Sequence, residues 1–344
     1  MGKHIAIMGT GAIGSTIGGF LTQAGEDVTF IDQWPEHVEA MNKNGLKISG
    51  TKGNHLVKVK AIHLNQVSLQ RDPFDIAFVS VKSYDTPWAT RLIAPYLKPE
   101  GYVVSAQNSI NDEVISEIVG WSREVPCVVR LGAGVYEPGH VIRTGDPNRP
   151  SFTVGEHHGK TTRRVQELAA LMNPIGKATV TDNIWGERWS KLGTNCMVNA
   201  MAALTNFRSG EVRQRVETRR LCIKIAWELI AMADALGVNI PHVEGVPIPM
   251  YKEAMKGHNL EDVETEMARH GAMSGEGRPS MLQDVMKGRR TEVDFLNGYV
   301  VQWGNRLGIE APLNADMVKL GHQLEQGKLK SDPANLAYLQ KHVF

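Results

Sequence analysis

The chain opens on a glycine-rich loop between a short apolar stretch and a run of small residues. Residues 4–8 read His-Ile-Ala-Ile-Met, and Gly9-Thr-Gly11-Ala-Ile-Gly14 follows at once. A strand, the pattern Gly-x-Gly-x-x-Gly and a helix, in this order, are typical of a dinucleotide-binding βαβ unit. The first glycine permits a tight turn, the second a close approach of backbone to a pyrophosphate, and the third close packing of helix on strand. No other feature limits the fold as strongly, because this one predicts a parallel α/β sheet at the start of the chain.

The second predicted strand ends at a carboxylate. Asp32 follows residues 27–31 and lies about twenty residues beyond the glycine loop. An acidic side chain there accepts hydrogen bonds from the adenosine ribose and repels a 2′-phosphate, which favours NAD over NADP. The N-terminus of the first helix adds free N–H groups and a positive dipole end for the phosphates. The predicted cofactor-binding residues of this region are Gly9, Thr10, Gly11, Ala12, Ile13, Gly14 and Asp32.

Short β-branched runs alternate with helical stretches as far as residue 182, which is typical of a parallel α/β sheet. Strands are predicted at residues 4–8, 27–31, 75–81, 102–106 and 127–131, with shorter ones at 141–143, 151–155 and 178–181. Glycine and proline around the shorter strands predict turns and an antiparallel edge. We therefore predict that residues 1–182 form a Rossmann-type, doubly wound dinucleotide-binding domain.

From residue 183 the pattern changes to long periodic helices. Helical segments are predicted at residues 184–204, 209–236, 291–306 and 313–326, so residues 183–344 are expected to form an all-helical domain for substrate binding and dimerisation. Residues 241–277 contain several prolines and glycines and are too irregular for one helix, which leaves a lid or a helical insertion. The apolar helical stripes suit either a homodimer interface or burial within a monomer.

Composition argues against several kinds of partner. The 344 residues carry 38 Lys and Arg against 37 Asp and Glu, and the net charge of +1 gives no basic surface for nucleic acid. No run of about 20 apolar residues predicts a membrane span. Three widely spaced cysteines suggest neither a disulfide framework nor a metal site, and the N-terminus lacks a signal-peptide pattern. We expect a cytoplasmic protein that acts on a small molecule and holds no metal.

Four polar residues lie along the first long predicted helix at spacings of four: Glu187, Lys191, Asn195 and Asn199. This spacing places them on one stripe of the helix surface. The stripe is either a solvated face or a buried set of polar groups that needs partners or a substrate. Asparagine is a poor helix former and the neighbouring positions are apolar, which favours the buried set.

A second polar cluster lies near the end of the sequence, around Ser280 and Glu292. Ser280 is three residues from Gln283, and Thr291 three from Asp294, so both hydroxyls also fit a structural role as helix caps. Glu292 suits the first turn of a helix, where the dipole favours a carboxylate, about as well as it suits a chemical role.

These motifs together resemble the ketopantoate reductase family over nearly the whole chain. The matching motifs are Gly9-x-Gly11-x-x-Gly14, Val81-Lys82, Gln107-Asn108, Trp189-Ser-Lys191-x3-Asn195-x3-Asn199, Ser280-Met-Leu-Gln-Asp284 and Arg290-Thr-Glu292-x-Asp294-x2-Asn297-Gly298. The resemblance implies an oxidoreductase that transfers a hydride between a nicotinamide cofactor and a 2-oxo or 2-hydroxy acid, with 2-dehydropantoate as the default substrate.

The resemblance also implies roles for single residues. Lys191 is then the general acid that protonates the substrate carbonyl, and Glu292 orients Lys191 or binds the substrate. Lys82 lies at a strand end within reach of the cofactor, as does Asn108. The implied substrate-binding residues are Asn108, Asn195, Asn199 and Ser280. Open α/β sheets bind ligands at the carboxyl ends of their strands, which agrees with the positions of Lys82 and Asn108.

Three departures from the family pattern concern the cofactor and the substrate. The family usually has a basic residue for the NADPH 2′-phosphate where Asp32 stands, so NAD is favoured and NADP is implied only by the resemblance. Ser109 stands where glycine is common, and residues 241–277 are longer than usual. One alternative is therefore an NAD-dependent catabolic dehydrogenase that oxidises a different hydroxylated substrate. Another is a non-catalytic dinucleotide-binding sensor, which the presence of Lys191 and its companion residues disfavours.

Overall fold

The computed structural model describes residues 2–273 and 277–342. The chain divides into two compact units, residues 1–184 and 185–344. The first unit is α/β with a largely parallel sheet, and the second is helical apart from one short hairpin. The fold class predicted from the sequence is therefore confirmed.

The first unit alternates strands and helices along the chain. Its strands are β1 (His4–Met8), β2 (Asp27–Asp32), β3 (Leu46–Gly50), β4 (His55–Val57), β5 (Lys60–His63), β6 (Phe74–Val79), β7 (Leu97–Ser105), β8 (Glu124–Val129), β9 (Gly132–Glu137), β10 (His140–Thr144), β11 (Phe152–Val154) and β12 (Ala178–Val180). Its helices are α1 (Ala12–Gln23), α2 (Pro35–Asn44), α3 (Thr86–Ile93), α4 (Asp112–Val119) and α5 (Arg163–Met172).

Within residues 2–184, eight strands form one sheet in the order β12-β11-β8-β7-β6-β1-β2-β5. Strand β1 pairs in parallel with β2 on one side and with β6 on the other. The strand order reverses between β1 and β6, and open α/β sheets bind ligands at such a switch point. The predicted antiparallel edge is present in β11, which pairs antiparallel with β8, while β12 continues the sheet in parallel with β11.

Strand β1 is buried on both faces of the sheet. Ile5 and Ile7 belong to one hydrophobic cluster, which includes residues of α1. Ala6 and Met8 belong to the cluster on the opposite face. A strand covered on both faces reads as a continuous apolar run, and this explains why β1 could be predicted from its sequence with correct bounds.

A second sheet, in the order β4-β3-β10-β9, was not predicted as such. The predicted strand at residues 141–143 belongs to it, as part of β10, and not to the main sheet. Its signal in the sequence is the alternation of buried Leu46 and Ile48 with exposed Lys47, a period of two. Strand β5, which extends the main sheet beyond β2, was also not predicted.

The second unit contains the remaining elements. They are α6 (Ile184–Thr194), α7 (Ala200–Thr205), α8 (Ser209–Gln214), α9 (Val216–Ala235), β13 (His242–Val243), β14 (Val246–Pro247), α10 (Ile248–Met255), α11 (Leu260–Met273), α12 (Ser280–Met286), α13 (Asn297–Leu307) and α14 (Pro312–Glu325). The described part of residues 241–277 forms a hairpin and two helices. Of the two alternatives, a lid or a helical insertion, the helical insertion agrees with these elements.

Three of the predicted helices differ from the structure. A π-helical segment, Asn195–Asn199, interrupts the predicted helix 184–204. The predicted helix 209–236 breaks at Arg215, whose ψ of 131° is extended. The helix predicted from residue 291 begins only at Asn297. Thr291 does not cap that helix, because its N–H and Oγ1 donate to Glu325 Oε1 of α14 at 2.7 and 2.6 Å.

Helix α9 buries most of its side chains and fixes its neighbours through one buried carboxylate. Glu228 accepts hydrogen bonds from the backbone N–H groups of Leu313 and Asn314, both at 2.9 Å. These groups lie in the first turn of α14, which has no intrahelical acceptors for them. Glu228 therefore caps α14 and fixes its start against the middle of α9.

Candidate cofactor and substrate sites

Three glycines with different surroundings shape the loop between β1 and α1. Gly9 has a φ of +89°, and a Cβ there would lie 2.6 Å from Val81 Cγ1. A Cβ at Gly14 would lie 2.0 Å from the carbonyl oxygen of Gly9, so no larger residue fits. At Gly11, by contrast, no atom lies within 4 Å of the Cβ position. This open side, beside the N-terminus of a helix that has no side-chain cap, fits a pyrophosphate.

Asp32, at the carboxyl end of β2, is bonded to this loop. The backbone N–H of Thr10 donates to Asp32 Oδ2, and Thr10 Oγ1 donates to the same oxygen at 2.7 Å. The backbone N–H of Trp34 donates to Oδ1 at 2.9 Å. The half-buried carboxylate therefore joins the glycine loop to the end of the neighbouring strand.

A buried histidine supports the loop from behind, and sequence reasoning did not find it. Ser15 Oγ donates to the carbonyl oxygen of Thr10 at 2.6 Å and lies 3.2 Å from His37 Nε2. His37 Nδ1 accepts the backbone N–H of Gly139 at 2.9 Å, so the ring proton is on Nε2. Burial lowers the pKa of His37, although the charge of Asp32 opposes this, and the ring is therefore neutral.

Lys82 follows β6, which is next to β1 in the sheet, and Asn108 follows β7, the next strand beyond β6. Both are half-buried. Neighbouring side chains fix their loops: Gln107 Nε2 donates to the carbonyl oxygen of Val81 at 2.8 Å, and Asn111 Nδ2 donates to that of Asn108 at 2.8 Å. Strands β7, β6, β1 and β2 are adjacent, so the four predicted positions of the first unit lie along one edge of the sheet.

Ser109 has a left-handed backbone next to Asn108. Its φ is +68° and only 6% of its surface is exposed. A residue with a Cβ costs about 1–2 kcal/mol in this conformation, whereas glycine adopts it freely. The place where the family commonly has glycine is thus a position that favours glycine, and this chain keeps a strained serine there.

The polar stripe of the second unit is bonded together at the π-helical segment. Asn199 Nδ2 donates to Asn195 Oδ1 at 3.0 Å, and Ser280 Oγ donates to Asn199 Oδ1 at 3.3 Å. Both asparagines are buried, while Lys191, one turn earlier on α6, is half-buried. The stripe is therefore not a solvated face. Ser280 is the first residue of α12 and makes no capping bond, so its interpretation as a helix cap is wrong.

Glu292 is buried, with 3% of its surface exposed, in the turn segment 291–296. Its own backbone carbonyl accepts the N–H groups of Phe295 and Leu296 at 3.0 Å. The interpretation of Glu292 as a first-turn helix residue is wrong, because α13 begins five residues later. A buried carboxylate that does not stabilise a helix end is a candidate for a chemical role.

Asn297 supports the π-helical segment, although the sequence analysis gave it no role. Its Nδ2 donates to the carbonyl oxygen of Cys196 at 3.2 Å and to Asn314 Oδ1 at 2.9 Å. Where the i→i+5 bonds of a π-helix meet the i→i+4 bonds of an α-helix, a carbonyl group loses its usual donor, and a side chain can replace that donor. The signal that could have pointed to Asn297 is its place in the motif Arg290-Thr-Glu292-x-Asp294-x2-Asn297-Gly298, although that motif does not reveal the partner at Cys196.

Within residues 2–273 and 277–342, no helix has the length and apolar character that a membrane crossing requires. In the same residues, no group of three or more His, Cys, Asp or Glu side chains is placed to hold a metal ion.

Comparison with known proteins covers both units. The family described as "Ketopantoate reductase PanE/ApbA" matches residues 5–159, and "Ketopantoate reductase PanE/ApbA C terminal" matches residues 183–325. A 2-dehydropantoate 2-reductase of Archaeoglobus fulgidus is 32% identical over 94% of this chain and 99% of its own. One of Pyrococcus horikoshii is 31% identical over 90% of this chain and 93% of its own.

Solved structures show the same fold. A PanE/ApbA family ketopantoate reductase from Ralstonia eutropha matches with a TM-score of 0.78 at 28% identity, over 94% of this chain and 99% of its own. A D-mandelate dehydrogenase in a ternary structure with NADH and anilino(oxo)acetate matches with a TM-score of 0.80 at 22% identity, over 94% and 98%. The similarity extends over both units of the chain.

Proposed function

The chain belongs to the ketopantoate reductase family, and from this premise we propose that it transfers a hydride between a nicotinamide cofactor and a 2-oxo or 2-hydroxy acid. The default substrate is 2-dehydropantoate, the substrate named for the curated relatives. The observation that carries the proposal is the bonded set of Asn195, Asn199 and Ser280, with Lys191 one turn before Asn195. Residues 1–182 would then bind the dinucleotide and residues 183–344 the substrate.

The nicotinamide cofactor is proposed to bind along the edge of the sheet in the first unit. The open side of Gly11 receives the pyrophosphate, and the N–H groups from Gly11 to Ile13 face its charge. Asp32 accepts a ribose hydroxyl and repels a 2′-phosphate, which supports NAD as the preferred cofactor. Lys82 and Asn108 contact the cofactor from the two strand ends beyond β1.

In the proposed reaction, the bound nicotinamide supplies the hydride to the substrate carbonyl carbon. Lys191 Nζ donates a proton to the carbonyl oxygen, since an ordinary lysine, with a pKa of about 10.4, is protonated at neutral pH. Its positive charge also stabilises the negative charge that develops on that oxygen. Asn195, Asn199 and Ser280 bind the substrate's carboxylate and hydroxyl oxygens, for which Asn108 is a further donor. Glu292 orients Lys191 or accepts a hydroxyl of the substrate.

Asp32 and Ser109 favour a second candidate, which has the same chemistry but a different substrate. In this alternative the protein is an NAD-dependent catabolic dehydrogenase, and a deprotonated Lys191 accepts the proton of the substrate hydroxyl. Ser109 adds a side chain beside the predicted nicotinamide-contacting Asn108, where the family commonly has none. A non-catalytic sensor is disfavoured, because the polar cluster of the second unit is complete.

A steady-state assay of nicotinamide absorbance tests the proposal. NADH and NADPH are compared with 2-dehydropantoate, and then NAD and NADP with a panel of hydroxy acids and alcohols. Reduction of 2-dehydropantoate supports the default substrate, whereas NAD-linked oxidation of another compound alone supports the catabolic alternative. If the assay detects neither reduction nor oxidation, this result contradicts the proposal that the protein is an oxidoreductase.

The role of Lys191 is tested separately with Lys191→Ala. We expect turnover to fall by about 10²–10⁴-fold, the usual contribution of a general acid, while the dissociation constant of the dinucleotide stays nearly unchanged. Fluorescence titration with NADH measures the second quantity. Retained turnover in this variant would remove Lys191 from the mechanism.

A further inference from the structure

Asparagine occupies the N-cap position of α4 but does not cap this helix with its side chain. Asn111 is the N-cap residue, and its carbonyl oxygen accepts the N–H of Ile115 at 3.0 Å. An asparagine side chain at this position usually accepts an N–H of the first helical turn, yet the Asn111 side chain makes no such bond. Only 2% of Asn111 is exposed. A buried side chain that does not serve its own helix end indicates another role.

The Asn111 side chain donates backwards, into the loop that precedes α4. Its Nδ2 lies 2.8 Å from the carbonyl oxygen of Asn108 and 3.2 Å from Ser83 Oγ, and it donates to both. Ser83 Oγ in turn donates to the same carbonyl oxygen at 3.4 Å. The carbonyl group of Asn108 therefore has two side-chain donors, and both donor residues are buried.

These bonds fix a peptide group that belongs partly to the strained Ser109. A peptide group is planar, so holding its oxygen fixes two dihedral angles, the ψ of Asn108 and the φ of Ser109. This φ is +68°, a left-handed conformation that glycine adopts freely and a residue with a Cβ does not. Strained backbone persists where the surrounding structure over-determines it, and the two donors do so here. Because the Cα of Asn108 belongs to the same peptide group, the base of its side chain is fixed as well.

The same bonds join the two loops that carry Lys82 and Asn108. Ser83 directly follows Lys82 in the loop after β6, whereas Asn108 lies in the loop after β7. Gln107 adds a second link between these loops, because its Nε2 donates to the carbonyl oxygen of Val81 at 2.8 Å. Hydrogen bonds on both sides of Asn108 thus hold the two loops in one arrangement. They do so at the carboxyl ends of two parallel strands, where open α/β sheets bind ligands.

We propose that Asn111 is a positioning residue for Asn108, whose carbonyl group it holds so that the Asn108 side chain is directed at the cofactor and the substrate. In this role Asn111 contacts neither ligand. Its donor supports the left-handed backbone of Ser109, a support that a glycine at residue 109 would not need. The inference rests on the proposed function, in which Asn108 binds the cofactor and the substrate.

A double-mutant cycle of Asn111→Asp and Ser109→Gly tests the inference. Aspartate has the size of asparagine and suits an N-cap, but its ionised carboxylate cannot donate to the Asn108 carbonyl. In the reduction of 2-dehydropantoate with NADH, we expect Asn111→Asp to lower kcat about 10-fold, the equivalent of one lost hydrogen bond. In the Ser109→Gly background the same change should lower kcat by less than about 2-fold, because glycine keeps the left-handed conformation without support.

A matched control is Asn42→Asp, because Asn42 Nδ2 also donates to a backbone carbonyl, that of Ala61, at 2.8 Å. This bond joins α2 to β5, which three strands separate from β7, so kcat should stay near that of the unaltered protein. An equal loss of kcat by Asn111→Asp in both backgrounds would mean a purely structural role and overturns the inference, as does an unchanged kcat. If Asn111→Asp does not fold, by circular dichroism, Ser83→Ala removes the second donor and is decided by the same cycle.

Two further measurements distinguish failure of the inference from failure of the proposed function. The free energy of unfolding in urea completes the same cycle without turnover, and Asn111→Asp should destabilise the Ser109→Gly protein less than the unaltered one. Absence of this coupling rejects the inference, whether or not the protein is a reductase. Unchanged kcat and unchanged NADH affinity in Asn108→Ala would instead remove Asn108 from the site, and the inference with it. If the substrate panel identifies a compound other than 2-dehydropantoate, the kinetic cycle is measured with that compound.

Discussion

At the scale of single residues, Asp32 has two proposed functions, which are selection of the cofactor and support of the glycine loop. A carboxylate has about four acceptor positions, and the Thr10 N–H, the Thr10 hydroxyl and the Trp34 N–H fill three of them. One position is left for a ribose hydroxyl. We therefore propose that the same side chain selects the cofactor and holds the loop that binds its phosphates.

We expect Asp32→Ala to weaken the binding of NAD and to raise the preference for NADP. The variant loses a hydrogen bond between the ribose and a charged group, worth about 1.5–3 kcal/mol, and this corresponds to roughly a 10- to 100-fold higher KM for NAD. The repulsion of the 2′-phosphate disappears as well. The measurement is the ratio of kcat/KM with NAD to that with NADP.

Thr10→Val is the matched control for Asp32→Ala. It removes the hydroxyl that bonds to Asp32 but keeps the carboxylate, so NAD should bind more weakly without any gain for NADP. An unchanged cofactor ratio in Asp32→Ala would show that this carboxylate does not face the ribose.

At the scale of secondary-structure elements, the π-helical segment 195–199 depends on an element distant in sequence. Asn297, the first residue of α13, donates to the carbonyl oxygen of Cys196 within that segment. We expect Asn297→Ala to lower the free energy of unfolding by about 2–4 kcal/mol, since it leaves two buried acceptors without their donor. Because Asn195 and Asn199 lie in the same segment, kcat should fall as well. Urea denaturation and steady-state kinetics measure the two effects.

Asn335→Ala provides a comparison for this prediction. Asn335 is also buried, and its Nδ2 donates to the carbonyl oxygens of Leu204 and Lys330 at 2.9 and 2.7 Å. It should cost a similar free energy of unfolding and leave kcat nearly unchanged. Equal losses of kcat in both variants would mean that general destabilisation, and not the π-helical segment, explains the effect of Asn297→Ala.

The elements that sequence reasoning predicted share strong local signals. Strand β1 is an apolar run buried on both faces, and the glycines of its loop have steric reasons that a sequence pattern records. The strands β3, β4 and β5 were missed because each is short and half-buried, so few apolar residues mark them. Helix bounds failed where tertiary bonds decide them, as at Thr291, which bonds to a carboxylate 34 residues away.

The residues of the candidate site also divide into those with a local signal in the sequence and those whose role depends on distant contacts. Family motifs identified Lys191, Asn195, Asn199 and Ser280, and hydrogen bonds join the last three of these in the structure. The supporting residues could not be predicted, because their partners are distant in sequence. His37 is 102 residues from Gly139, and Asn297 is 101 residues from Cys196. Periodicity describes neighbours along one element and not contacts of this kind.

At the scale of the whole molecule, a buried histidine and a hydrogen-bonded carboxylate both make the fold less stable in acid. The folded protein keeps His37 neutral, with a pKa lowered by burial, whereas the unfolded chain protonates it near pH ~6.5. Burial raises the pKa of Glu156, but bonds from Arg164 and Thr162 hold it below its usual range. In both cases the unfolded chain binds the proton first, so stability falls as pH falls.

We therefore expect the free energy of unfolding to decline in two stages, beginning near pH ~6.5 with His37 and again below pH ~4.5 with the carboxylates. Urea denaturation at a series of pH values measures it. His37→Asn keeps an acceptor for the N–H of Gly139 but does not titrate, so the first stage should disappear. If that variant loses stability between pH 7 and 5.5 as the unaltered protein does, another group is responsible.

The π-helical segment also bears on how relatives of this chain can be compared. Its hydrogen bonds span one residue more than those of α6 and α7 on either side. Deletion of a single residue there would restore a regular α-helix, because a π turn holds one residue more than an α turn. The helix that follows would keep nearly the same orientation, but Asn199 would stand three residues after Asn195 instead of four. In an alignment, a gap in this segment thus separates proteins whose sites are built differently, even where the flanking residues are identical.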